Sequence, residues 1–459
     1  MASIRMWEVI KRAETGPYME EKDFLMKHFL PTMKKVIKKY DIKYDPNNPI
    51  PHDDDLIDRM WQAAVEFFLE VGVYHSDNKR VIKFTENELK EALFAAPSEY
   101  FVGEGCDRRR FGSRKIEDER PPFMLLSPDI TYDEHDHLLA CMAYLKEPLL
   151  DGLCAPILEE FMGRKIKSGA PSEIGGCVMH AMNLREAARL VGRPGAWFVA
   201  VGTAESDMSQ IAVSNDMWGI RHTDGRLAPV ITEMITNNEM LNKAAHYQIN
   251  GNIAGCLAGA IYGGYAGGAE GTAILQIAYH LMGLMVHFVQ FNQNFPFHML
   301  YGSNTGREML WVVSTYCQAI AKNTHLVHTS NGFANAGPAT DMLYYETAAH
   351  AIASTVCGAN LWEMAPARNK IHNHGTPLEA RFAAEVGHSA TKMKMTREQA
   401  NEIVNKLLAK YEKDIPDAPI GKPFREVYDI NELVPKQEYL DQYYRIKEEI
   451  AKMGIDFVF

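Results

Sequence analysis

Across 459 residues, 48 lysines and arginines stand against 59 aspartates and glutamates, a net charge of −11, with 46% hydrophobic and 23% charged residues. That is an ordinary globular composition, and its acidic balance excludes a surface built to grip nucleic acid or an anionic membrane, which needs a basic stripe. Seven scattered cysteines without a Cys-x-x-Cys pair argue against a disulfide framework or a thiolate zinc site. No apolar run near the first residues is long enough for a signal peptide or a membrane span, so the expected location is cytoplasmic.

Residues 1–118 read as a helical N-terminal extension. Apolar residues recur at three and four over 20–39 and 54–71, with charges on the other face. Two β-prone runs around Ser76-Asp77-Asn78 predict a small hairpin, and Thr85-x-x-Glu88 has the form of a capping box opening a helix. The charged stretch 108–120 mixes both signs and reads as a solvated loop. From 119 to 394 short apolar runs alternate with helical patterns. The runs are 123–126, 149–154, 196–201, 229–234, 253–257, 297–301, 325–329 and 360–364. The helices between them fall near 134–146, 173–191, 205–217, 237–249, 267–292, 306–323, 340–356 and 377–390. Eight strand–helix pairs predict an α/β fold, a (β/α)8 TIM barrel. Residues 395–459 return to helix, a C-terminal extension broken by a loop at 416–423.

In such a barrel chemistry sits where strands end, and these places are rich in polar residues. Glu205 follows the third run, Glu233 falls in the fourth, His298 in the sixth, Asn331 just past the seventh and Glu363 in the eighth. Polar groups in strand-like runs are costly to bury unpartnered, so function or a hydrogen-bonded layer must explain them. Among 17 histidines, His372-Asn373-His374 and His222-x-Asp224 offer metal-ligand atoms but lack helical spacing and a third ligand; the reading is no metal. The glycine-rich Tyr262 to Gly268 stretch fits a tight turn before a helix better than a phosphate loop. Aromatic residues cluster near strand ends: Trp197, Phe198, Tyr301 and Phe333. Such faces favour a ligand cation, quaternary ammonium above all.

At Gly192-Arg-Pro-Gly195, Gly263-Gly-Tyr-Ala-Gly-Gly268, Gly302-Ser-Asn-Thr-Gly-Arg-Glu308, Ala336-Gly-Pro338 and Pro419-Ile-Gly-Lys-Pro-Phe424 the chain resembles the monomethylamine:corrinoid methyltransferases of methanogens. The similarity continues through Glu70-Val-Gly-Val-Tyr74, Lys83-Phe-Thr-Glu86, Glu379-Ala-Arg381 and Tyr428-Asp429, nearly the whole chain. The resemblance implies a (β/α)8 barrel with helical extensions, a homo-oligomer (hexamer), and transfer of a methyl group to the cobalt of a corrinoid (cobalamin) carried by a separate protein. It also implies a pyrrolysine after the Arg-Pro-Gly segment, whose imine captures methylamine. Here that position falls at or near Val201. Two family glutamates match Leu227 and Leu257, and a family glutamine matches Asn331; Glu205 and Glu233 fall on or beside family glutamates.

The chain thus resembles a member without the amine-activating residue. A quaternary ammonium leaves as a neutral tertiary amine and needs only a cage that desolvates it and aims one methyl. The expected function is therefore corrinoid-dependent methyl transfer from a methylated amine, without pyrrolysine. Glu205, Glu233 and Asn331 are the expected catalytic residues, and Trp197, Phe198, Val201, Tyr301, Phe333, His298 and Glu363 the expected substrate contacts. The alternatives are demethylation of a methyl thioether or methoxy compound, where a raised glutamate would act as acid, a non-catalytic binding subunit, or an unrelated metal-dependent barrel enzyme.

Overall fold

Eight parallel strands close on themselves in the computed structural model, which describes residues 2–199 and 206–459. They are β1 (Met124–Leu126), β2 (Gly152–Leu153), β3 (Trp197–Phe198), β4 (Gly225–Pro229), β5 (Ile253–Ala258), β6 (Phe291–Asn294), β7 (Val327–Phe333) and β8 (Asn360–Ala365). Each pairs with its chain neighbours, β8 returns to β1, and a bridge between Val199 and Gly225 closes the ring. A helix follows every strand: α1 (Glu134–Leu145), α2 (Pro171–Leu190), α3 (Asp207–Ala212), α4 (Asn238–Asn250), α5 (Ala269–Met282), α6 (Arg307–Asn323), α7 (Asp341–Val356) and α8 (Pro377–Lys392). This is the expected (β/α)8 barrel.

Period-two alternation sorts the strand side chains. Leu125, Cys154, Trp197, Leu227, Phe291, Val327 and Trp362 point inward and form one cluster. Their neighbours Leu126, Leu153, Phe198, Ala228, Cys256 and Leu361 point outward into the larger core shared with the helices. Three glycines make room for the inner rings. A Cβ at Gly152 or Gly225 would meet Trp197 at 2.9 or 2.7 Å, and one at Gly255 would meet the Phe291 ring at 2.3 Å.

The stretch 108–120 departs from the solvated-loop expectation. Arg109–Gly112 pairs antiparallel with Glu99–Val102, and Phe111 enters the base of the barrel, its ring centre 4.5 Å from Phe123 and 5.3 Å from Phe291. Arg114 is buried and donates to the carbonyls of Ala359, Asp118 and Arg120. The alternating charges hid one apolar anchor.

Two strands also lie elsewhere than expected. β4 ends at Pro229, where the predicted run began, because Arg226 faces outward to Gln210 and Ser214 and disguises the strand as polar. β6 is Phe-Asn-Gln-Asn; the apolar run 297–301 lies above it, where Phe297–His298 pairs with Ile261–Tyr262. The buried Asn294 amide donates to the Thr329 carbonyl and its oxygen accepts from Gln276, which is how so polar a strand is tolerated.

The extensions pack on the barrel helices. Asp54–Val71, capped by Asp53, lies against α5 and α6, and Arg397–Tyr411 lies against α7. The predicted hairpin forms from Val73–His75 and Arg80–Ile82 and also pairs with Ile235–Thr236 beyond β4, while Thr85 and Glu88 make the reciprocal capping box. Among the described residues no helix is long and apolar enough to cross a membrane.

Candidate active site

A cavity of 510 Å³ opens at the C-terminal end of the strands, within the range of about 300–1,000 Å³ usual for small-molecule sites. Its floor is inward-facing strand residues: Cys154, Leu227, Leu257, Gln293 and Asn331. Pro229, Phe295 and Phe333 form its walls, the two phenyl rings 5.8 Å apart and inclined at 43°. Glu239, Met240 and Lys243 from α4 stand around it, with the Lys243 ammonium 2.9 Å from the Glu239 carboxylate.

One carboxylate reaches this cavity from an unexpected place. Ser127-Pro128-Asp129 is the turn directly after β1, and Asp129 takes the left-handed backbone conformation with φ of 43°. The Ser127 hydroxyl donates to Asp129 Oδ1 at 2.6 Å, and Asn331 Nδ2 donates to Oδ2 at 2.8 Å. Burial pushes the Asp129 carboxyl above the usual carboxylate range, the two hydrogen bonds opposing it. No described lysine or arginine pairs with it. On the same lining, Asn331 Oδ1 and Gln293 Oε1 are buried without a hydrogen-bond partner among the described residues.

The structure gathers only part of the sequence-predicted set here. Asn331 and Phe333 line the cavity. Val201 and Glu205 lie outside the described residues. Trp197 belongs instead to the aromatic base, 5.7 Å from Phe111, because its position on β3 turns it inward at the opposite end of the barrel. Phe198 faces outward, with the Arg185 guanidinium 4.6 Å over its ring.

Four further expected residues fall outside the cavity lining. His298 stacks between Tyr262 and Tyr301 in a cluster above β5 and β6, at centroid distances of 4.8 and 4.6 Å, since this segment pairs with Ile261–Tyr262 outside the barrel rather than forming its sixth strand. Glu363 points away from the barrel axis into α7 and hydrogen-bonds His350, both side chains fully buried. Glu233 sits beyond β4, 3% exposed; burial pushes its carboxyl up to about 7 against the pull of the Tyr265 backbone and the Tyr279 hydroxyl. The two metal-ligand stretches also separate: His222 pairs with Asp216, Asp224 with Arg185, and His372 with Glu159. The glycine-rich stretch forms the expected tight turn, closed by a bond from Gly263 N to Gly267 O.

Sequence reasoning missed Asp129, Gln293 and Phe295. For Asp129 a signal existed: it is the third residue past an apolar run, where barrels place their chemistry. Gln293 and Phe295 were hidden with the polar strand β6.

Comparison with known proteins places this geometry in a family. The family model described as monomethylamine methyltransferase MtmB matches residues 4–455. The chain is 28% identical to monomethylamine methyltransferase MtmB2 of Methanosarcina acetivorans over 460 residues, covering 99% of each chain. It is 28% identical to the Methanosarcina mazei MtmB over 458 residues, again covering 99% of each. The crystal structure of the Methanosarcina barkeri monomethylamine methyltransferase superposes with a TM-score of 0.94 at 26% identity over 98% of both chains, as does that of the hydroxylamine MtmB complex. With its barrel, its helical extensions and a family model matching nearly from end to end, the chain belongs to the monomethylamine methyltransferase (MtmB) family.

Proposed function

We propose that this protein is a corrinoid-dependent methyltransferase that takes a methyl group from a cationic methylated amine, above all a quaternary ammonium, and does so without pyrrolysine. The methyl acceptor is the Co(I) of a corrinoid borne by a separate protein, and the chain works as a cytoplasmic homo-oligomer, a hexamer by family resemblance. Membership in the family supports methyl transfer. The observation that carries the choice of substrate is the cavity floor. Leu227 and Leu257 occupy it where the resemblance places glutamates, leaving an apolar surface beneath Phe295, Phe333 and the Asp129 carboxylate, while the other described carboxylate on the lining, Glu239, is held by Lys243.

That arrangement suits a bulky cation. The apolar floor and phenyl faces strip water from the N-methyl groups, and Asp129 balances the charge. Fixing the nitrogen at the base leaves one methyl aimed at the mouth, where the acceptor's electron pair attacks in line. The nitrogen–carbon bond breaks with its electrons kept on nitrogen, so a neutral tertiary amine departs and no proton need be delivered. A monomethylammonium ion, small and protonated, fills little of this cavity and must first lose a proton. A second reading makes the Asp129 carboxyl, whose hold on a proton burial strengthens, the group that donates to the departing oxygen of a methyl ether. The deciding experiment mixes the protein with a reduced corrinoid protein and methylamines, quaternary ammonium compounds, thioethers and methoxy-aromatics, following corrinoid methylation by its visible spectrum. Methylation by quaternary donors is expected; methylation by ethers alone selects the second reading. Silence from all donors selects a non-catalytic binding subunit, provided a known methyltransferase methylates the same corrinoid protein.

A further inference from the structure

A carboxylate withdrawn from water without a cation beside it is an unbalanced charge, and folded proteins keep such groups where a ligand restores the balance. Asp129, half-buried on the cavity lining, has no described lysine or arginine acting on its carboxyl. It faces the cavity, the described groups that hydrogen-bond it are the neutral Ser127 hydroxyl and Asn331 amide, and both donate, which is what an ionised carboxylate accepts. The nearby Lys243 is engaged by Glu239. The left-handed turn at Asp129 aims the side chain from β1 toward the end of β7, and two amide oxygens unpartnered among the described residues, of Asn331 and Gln293, add further negative potential on the same lining. Phe295 and Phe333 supply electron-rich faces beside it. A carboxylate, two amide oxygens and two phenyl faces around an apolar floor form a receptor for a cation that carries no proton to share.

Resting on the reading that this cavity holds the methyl donor, we propose that Asp129 is the counter-ion that receives the donor's permanently charged nitrogen, and that Ser127 and Asn331 act as positioning residues holding the carboxylate toward it. Asp129 then does the electrostatic work of selection, separating a quaternary ammonium from an uncharged molecule of the same shape, which the phenyl walls and leucine floor alone would accept equally.

An isosteric pair tests this directly. Choline and 3,3-dimethylbutan-1-ol differ in shape almost only by nitrogen for carbon, and so by charge. Calorimetric titration of the full chain is expected to show choline binding at least tenfold tighter than the alcohol. Asp129→Asn should erase that preference by weakening choline at least tenfold while leaving the alcohol unchanged or improved; Ser127→Ala should weaken choline by a smaller factor. Thermal unfolding of Asp129→Asn at or above the wild-type midpoint shows that the loss is not misfolding. Equal binding of the two probes by the wild type, binding of neither, or choline bound as tightly by Asp129→Asn as by the wild type would overturn the proposal. The two readings fail separately. If choline binding needs Asp129 but no quaternary donor yields its methyl, the counter-ion stands and methyl transfer falls; if Asp129→Asn transfers from quaternary donors at wild-type kcat/KM, the reverse holds.

Discussion

Asn331 Nδ2 donates to Asp129 Oδ2 at 2.8 Å, tying the end of β7 to the turn after β1 past the intervening strand β8. The bond fixes the carboxylate that faces the cavity, and its neighbours fix the rest of the site.

Breaking that bond should loosen the carboxylate rather than remove it. A hydrogen bond to a charged group contributes about 1.5–3 kcal/mol, so Asn331→Ala is expected to weaken choline about tenfold, short of the effect of Asp129→Asn in the same titration. An Asn331→Ala affinity equal to wild type would show that the carboxylate needs no such support.

The leucine floor can be challenged by returning a carboxylate to it. Leu227 is 8% exposed, and Leu227→Glu would bury a further acid beside Asp129 and Glu239, with no basic residue among its described cavity neighbours except the already paired Lys243. A loss of about 3 kcal/mol in urea unfolding is expected at pH 8, shrinking as the pH falls and the new acid takes up a proton. A loss independent of pH would place the cost in shape, not charge.

Glu233 predicts a pH dependence of stability. Its carboxyl titrates at about 7 in the folded chain against an ordinary value of 4.5. The folded state therefore holds a proton that the unfolded chain has released. The stabilisation is fully present below pH 4.5 and is lost as the pH rises through 7, about 3 kcal/mol in total. Glu233→Gln should gain on the wild type steadily across that window and then hold level, measured by urea unfolding at stepped pH. Its position outside the cavity lining predicts unchanged choline affinity.

The aromatic base should matter for stability and not for binding. Phe111→Ala empties a fully buried site between Phe123, Trp197 and Phe291, at an expected cost of about 3–5 kcal/mol. Choline affinity should stay within about twofold, because none of these four rings lines the cavity.

The barrel was legible because six of its eight strands are apolar runs at or near their true positions and each is followed by a helical period. It misled at β4 and β6, where the side chains that made the strands read as polar, Arg226, Asn292, Gln293 and Asn294, are buried or bonded in ways no local pattern reveals. Those slips carried the site with them. Reading 297–301 as the sixth strand put His298 and Tyr301 at a strand end they do not occupy and concealed Gln293 and Phe295, which do line the cavity. Asn331 and Phe333 were found because β7 was placed nearly correctly. Asp129 has no motif: its importance arises from a turn and from Asn331, 202 residues away.

The most direct measurement is methyl transfer from donors labelled as CD3, with the label counted by mass spectrometry on the corrinoid. At saturating donor, tetramethylammonium or choline is expected to deliver CD3 at a rate far above monomethylamine and methoxy-aromatics, and below saturation Asp129→Asn is expected to lose kcat/KM for the quaternary donors. Label arriving from monomethylamine at the greater rate, or from no quaternary donor at all, would contradict a cage built for a permanent cation.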